Sequence, residues 1–112
     1  MNEIIKFELV RTNIGGHYSP NIGVFTVPRP GLYLLSATVR STRGKHIHCA
    51  LWVNDVMYER AFGTNYSTGT LNTLLQLKKG DKVYIKKDSK FSNSGEHMRG
   101  GYMSMFSGYL IA

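Results

Sequence analysis

His46 and His48 stand two residues apart, a spacing that puts both imidazoles on one face of an extended strand, as shared metal ligation requires. No third ligand follows at the spacing of a zinc site, so exposed or hydrogen-bonded histidines are the expectation. Cys49 adjoins His48, but neighbouring residues of a strand point to opposite faces, which denies the thiol a general base. Within the apolar run Cys49–Val53 it reads as a buried spacer. Glu3 and Glu8 lie near one terminus, and Glu59, Asp81, Asp88 and Glu96 have no partner carboxylate or nucleophile in a recognisable pattern. General acid–base chemistry needs paired groups at reacting distance. The expectation is therefore a protein that is not an enzyme and that carries no cofactor.

The cations are more informative. Lys plus Arg number 14 against 7 Asp plus Glu, for a formal net charge of +7. Lys78, Lys79, Lys82, Lys86, Lys87 and Lys90 gather around one turn, and Arg40, Arg43 and Lys45 around another. Basic turns attract sulfated glycans, lipopolysaccharide phosphates or acidic proteins, with an affinity that falls as salt rises. They serve equally as a solvated surface that keeps a protein in solution. Tyrosines at strand ends or loops, Tyr58 and Tyr66 among them, add rings with a polar edge, suited to a subunit interface or to stacking on a sugar. The candidate ligand-binding set is Arg40, Arg43, Lys45, Tyr58, Tyr66, Lys86 and Lys87. Nucleic acid is not expected, because only Tyr84 alternates suitably with the lysines for base stacking.

Short strands must position these groups. A chain of 112 residues, 42% hydrophobic and 19% charged, is a single folded domain spanning 1–112, small enough that oligomerisation would stabilise it. No apolar run reaches the roughly 18 residues of a membrane span. Residues 4–12 read as a strand, and Pro28 and Pro30 interrupt an extended run that restarts at Gly31 and continues through Val39 with Tyr33, Leu35, Ala37 and Val39 on the core face. Two strands flank the Asn54–Asp55 turn, with Leu51 and Val53 on one face and Trp52 on the other. Residues 63–70 read as a loop or weak edge strand, and a hairpin turns at Gly80. The last strand, near the C-terminus, is expected at the centre of a sheet, since a frayed apolar end invites aggregation. Seven to nine short strands and no helix predict an all-β sandwich.

The runs Asn13-Ile14-Gly15-Gly16-His17-Tyr18-Ser19-Pro20, Gly23-Val24-Phe25-Thr26 and Pro28-Arg29-Pro30-Gly31-Leu32-Tyr33-Leu34-Leu35 resemble the signature of the globular C1q domain. Three more pieces follow in that family's order. Leu51-Trp52-Val53-Asn54-Asp55 is similar to its Leu-x-x-Asn-Gly hairpin, with Asp55 in the glycine's place. Leu77-Lys78-Lys79-Gly80-Asp81-Lys82-Val83 resembles its Leu-x-x-Gly-Asp-x-Val turn, and Phe106-Ser107-Gly108-Tyr109-Leu110-Ile111 its closing strand. The resemblance implies a C1q/TNF-like jelly-roll β-sandwich, a secreted extracellular homotrimer, and non-catalytic recognition, with innate-immune, lectin-like members as the nearest comparison. A trimerisation domain with no specific small ligand is the alternative. Calcium is a family-derived candidate to which Asp81 and Asp88 would supply oxygens, although no dedicated Asp-rich loop is present. Family domains also begin with one more strand, typically containing Ala-Phe, ahead of the segment that matches Ile4–Val10.

Overall fold

The computed structural model describes residues 3–5, 16–40, 46–64, 68–87 and 105–111. Nine strands run through them in chain order: β1 (Glu3–Ile4), β2 (Tyr18–Ser19), β3 (Val24–Thr26), β4 (Gly31–Arg40), β5 (His46–Val53), β6 (Val56–Thr64), β7 (Thr68–Leu77), β8 (Lys82–Lys87) and β9 (Met105–Leu110). They form two antiparallel sheets. One has the order β2-β3-β8-β5-β6 with β1 also on β8, and the other the order β7-β4-β9.

Alternation along β4 decides what lies between the sheets. Tyr33, Leu35 and Ala37 are each no more than 2% exposed, whereas Leu32, Leu34, Ser36 and Thr38 are half-buried on the opposite face. Leu51 and Val53 of β5 and Val83 and Ile85 of β8 meet the β4 residues from the other sheet. Each such large apolar side chain contributes roughly 1.5–3 kcal/mol when fully buried. The buried Tyr33 hydroxyl donates to the Arg29 carbonyl at 2.6 Å, so the ring enters the core without stranding its polar end. Phe25 and Phe106 pack against this cluster from its rim while remaining partly exposed.

Two elements occupy one edge of β8. β3 pairs with Lys82–Tyr84 and β1 with Lys86–Lys87, while β5 takes the other edge. The two short strands come so close that a Cβ on Gly23 would lie 2.6 Å from the Ile5 carbonyl oxygen and 2.8 Å from Ile4 Cγ2. The Ile5 amide in turn donates to the Ile85 carbonyl at 2.7 Å, which ties β1 to the sheet.

Residues 63–64 and 68–70, read as part of a loop or weak edge strand, are strand: Gly63 pairs with Ile47 and Gly69 with Val39, in β6 and β7, each at the edge of its sheet among the described residues. Other expectations need correction. Of the strand expected over residues 4–12, only Ile4 and Ile5 are described, and Ile4 closes β1. β9 is not central among the described residues, where β4 is its sole strand neighbour; Phe106 and Leu110 hold it by packing on the core instead. Tyr58 lies inside β6 rather than at a strand end. Leu51 pairs with Glu59 and Trp52 with Met57, so the register slips and Tyr58 is the extra residue of a bulge.

Candidate functional site

The Asn54–Asp55 turn fixes one end of the larger sheet. Both residues have positive φ, 47° and 74°, as a two-residue hairpin turn with the sheet's twist requires. Asp55 manages this without being glycine because Tyr84 supports it: the Asp55 amide donates to the Tyr84 hydroxyl, which donates to Asp55 Oδ1, both at 3.2 Å. Burial foremost pushes the Tyr84 hydroxyl above its ordinary pKa. Asn54 clamps this turn to the β7–β8 turn. Its Nδ2 donates to Asp81 Oδ1 at 2.9 Å, and its Oδ1 accepts from the Lys82 amide at 2.9 Å. Asp81 also accepts from the Lys78 amide at 2.9 Å, and that bond above all lowers its carboxyl pKa. Both Asp81 oxygens thus serve the turns.

The face of the six-stranded sheet that points away from the core carries a layer of its own. Strand register sets Met57, Trp52, Tyr84 and Val24 in one row and Arg60, Ala50, Lys86 and Ile4 in the next. Val24, Ala50 and Tyr84 are at most 9% exposed although they stand outside the core cluster. Ala50, the smallest of them, sits between Arg60 and Lys86, and Trp52 is diagonal to both cations. The Lys86 ammonium lies over the Trp52 ring, 4.5 Å from its centroid. Lys82 extends the basic character along β8, its Nζ donating to Thr26 Oγ1 at 3.1 Å.

The outer face of the three-stranded sheet is different in kind. Leu34 and Leu74 are opposite one another, Leu74 being 55% exposed, and Ser36 Oγ donates to Asn72 Oδ1 at 2.7 Å in the row beside them. Along β4 and β7 the side chains described on this face are Leu32, Leu34, Ser36, Thr38, Thr70, Asn72, Leu74 and Gln76, and none is charged. The charge of the described sheet faces is therefore one-sided.

Strand direction gathers part of the expected ligand set at one end of the sandwich. Arg40 closes β4 opposite Thr68, and Lys87 closes β8 opposite Cys49, three residues from the start of β5. Arg43 and Lys45, which follow Arg40 in the connection to β5, and Tyr66, which links β6 to β7, lie outside the described residues. Tyr58 is exposed near the Asn54–Asp55 turn, at the opposite end, so the fold does not bring it to Arg40. Lys86 stands on the outer face with Trp52 and Arg60. Neither of those two was in the expected set: alternation put Trp52 opposite the core, but only cross-strand register shows its cationic neighbours.

Cys49 is 1% exposed, and burial pushes its thiol up to about 12, opposed by a backbone hydrogen bond with Ala61. Among the described residues no group of three His, Cys, Asp or Glu side chains is placed to hold a metal ion. The calcium candidate Asp88 lies outside the described residues. No helix among the described residues is long and apolar enough to cross a membrane.

Comparison with known proteins follows the same outline. The family model of the C1q domain matches residues 1–111. The chain is 30% identical over 110 residues to complement C1q tumor necrosis factor-related protein 2 of Mus musculus and of Homo sapiens, covering 96% of this chain and 37% and 38% of those proteins. It is 32% identical over 113 residues to a complement C1q subcomponent of Mus musculus, covering 98% of this chain and 44% of that one. The chain thus spans less than half the length of these relatives. Among solved structures, the globular domain of zebrafish complement 1qA protein superposes with a TM-score of 0.78 at 20% identity, over 98% of this chain and 85% of that one. This likeness identifies the sandwich as a jelly roll.

Proposed function

The chain belongs to the C1q domain family, and from that premise we propose that it is a non-catalytic recognition module that binds anionic microbial or cell-surface ligands as a secreted homotrimer. The observation that supports this most is the one-sided charge. Interface cores are depleted of charged residues, and the face whose described side chains, Leu34 and Leu74 among them, are uncharged has the composition of a surface that meets its own copies. The six-stranded sheet, with Lys82, Lys86 and Arg60, then faces outward and meets the ligand. Arg40 and Lys87 close β4 and β8 at one end of the sandwich, and Arg43, Lys45, Tyr58 and Tyr66 complete the candidate ligand-binding set. Three weak sites on one rigid body gain avidity when the ligands are clustered, by as much as about 10²–10⁴-fold.

Light scattering combined with retention on lipopolysaccharide and heparin matrices tests this reading. A trimer mass is expected, with salt-sensitive retention on both anionic matrices and none on neutral dextran. Leu74→Glu should lower the mass and release the protein from the matrices. Reversing the charge of Arg40, Arg43 and Lys45 should weaken retention while the mass stays. A stable trimer with no retention on any anionic matrix would replace recognition with the second reading, a trimerisation domain, which the same uncharged face supports.

A further inference from the structure

Resting on the recognition reading, we propose that Trp52, Lys86 and Arg60 form a binding subsite for an acidic saccharide, which lies along the row Arg60–Ala50–Lys86 with its carboxylate or sulfate groups at the two cations and its apolar C–H face against the indole. Three observations converge on that occupant.

The first is spacing. Arg60, Ala50 and Lys86 are register partners on adjacent strands, so the two cations stand two strand separations apart, about 9–10 Å between Cα atoms. The Ala50 methyl leaves the middle of the row low between three long side chains. That separation suits an anion-bearing chain of sugars better than a single small anion, which one cation would satisfy.

The second is charge complementarity. No carboxylate among the described residues pairs with Lys86, whose described contact is the Trp52 ring. A π face holds an ammonium but leaves its N–H donors for a stronger acceptor. The Asp55 carboxylate, at the turn that follows β5, is engaged by Tyr84. Lys86 is therefore held in position at small entropic cost, with its charge unneutralised by any acid among the described residues.

The third is the half-buried Trp52 ring beside Ala50 on a pleated sheet. Bare charge recognition has no use for an indole there. A saccharide ring carries an apolar face and acidic edges, and it matches an aromatic platform flanked by cations. An acidic protein would seat its aromatic or aliphatic anchors in pockets, and a sheet face with long cations on either side offers a platform instead.

Calorimetric titration with heparin and hyaluronan hexasaccharides, neutral cellohexaose and poly-L-glutamate tests the subsite and separates sulfate from carboxylate recognition. At least one acidic hexasaccharide should bind, and cellohexaose should not. Lys86→Gln and Arg60→Gln should each weaken that binding by about 10- to 100-fold, the usual loss for a hydrogen bond to a charged group. Trp52→Leu should weaken saccharide binding while poly-L-glutamate binding is unchanged, with solution mass and melting temperature kept as controls; if that variant fails to fold, the two cation variants still decide. Equal saccharide binding by wild type and all three variants, or no acidic hexasaccharide bound at all, would overturn the subsite. A parallel loss of poly-L-glutamate binding in Trp52→Leu would also overturn it, in favour of an acidic protein partner. Should wild type still be retained on lipopolysaccharide or heparin matrices while these variants behave like it, the subsite fails and the recognition reading stands. Absence of retention on any anionic matrix defeats both.

Discussion

Replacing Gly23 by Ala tests how tightly β1 and β3 share the edge of β8. Gly23 has φ +77°, and an added Cβ would meet the Ile5 carbonyl oxygen at 2.6 Å and Ile4 Cγ2 at 2.8 Å. Two costs arise. Left-handed backbone costs an L-residue roughly 1–2 kcal/mol, of which about 0.4–1 kcal/mol is returned through the smaller entropy of the unfolded chain. The overlap with fixed backbone adds about 1–3 kcal/mol, because relieving it shifts β1. Gly80→Ala is the matched control: φ is +91°, but nothing lies within 4 Å of the added Cβ, so only the first cost applies. Urea denaturation at one fixed protein concentration should show both variants destabilised, Gly23→Ala by about 1–3 kcal/mol more than Gly80→Ala. Hydrogen exchange should place the extra loss at the Ile5 amide, which donates to Ile85. Equal destabilisation by the two variants would refute the close approach and with it the account of how β1 is held.

Gly108→Ala and Leu35→Val should be less than additive in denaturation, since a Cβ at position 108 would lie 2.9 Å from Leu35 Cδ2 and the shorter side chain vacates that space. Asn54→Ala, which loses the bonds to Asp81 and to the Lys82 amide at a positive-φ position, should cost about 1–2 kcal/mol by the same assay. Because folding lowers the Asp81 pKa below 3.8, its contribution is present above that pH and is lost as pH falls through the depressed value; acid titrations of wild type and Asp81→Asn should diverge there. For Cys49 the sign is opposite. The folded state keeps the proton to about pH 12 whereas the unfolded thiol loses it near 9.0, so stability falls as pH rises above 9.0, and Cys49→Ala should show a smaller decline. At neutral pH a thiol reagent should label Cys49 only after denaturation.

The sequence determined whatever depends on near neighbours in the chain. Alternation along Gly31–Val39 placed Tyr33, Leu35 and Ala37 inside, Pro28 and Pro30 marked where β4 begins, and the ordered motifs identified the family before any strand was paired. The apolar setting of Cys49 was equally readable, because it concerns a residue and its immediate surroundings. Pairing across the sheet was not. The strand content of residues 63–70 comes from Ile47 and Val39, and the Tyr58 bulge from a register slip against Leu51 and Trp52. Trp52 sits 34 residues before Lys86 in the chain, and no local period reveals that the ammonium lies over its ring. Which face carries the described cations, and which face shows no charge among its described side chains, was decided by tertiary structure alone, since side-chain position on a sheet is set by register with strands distant in sequence.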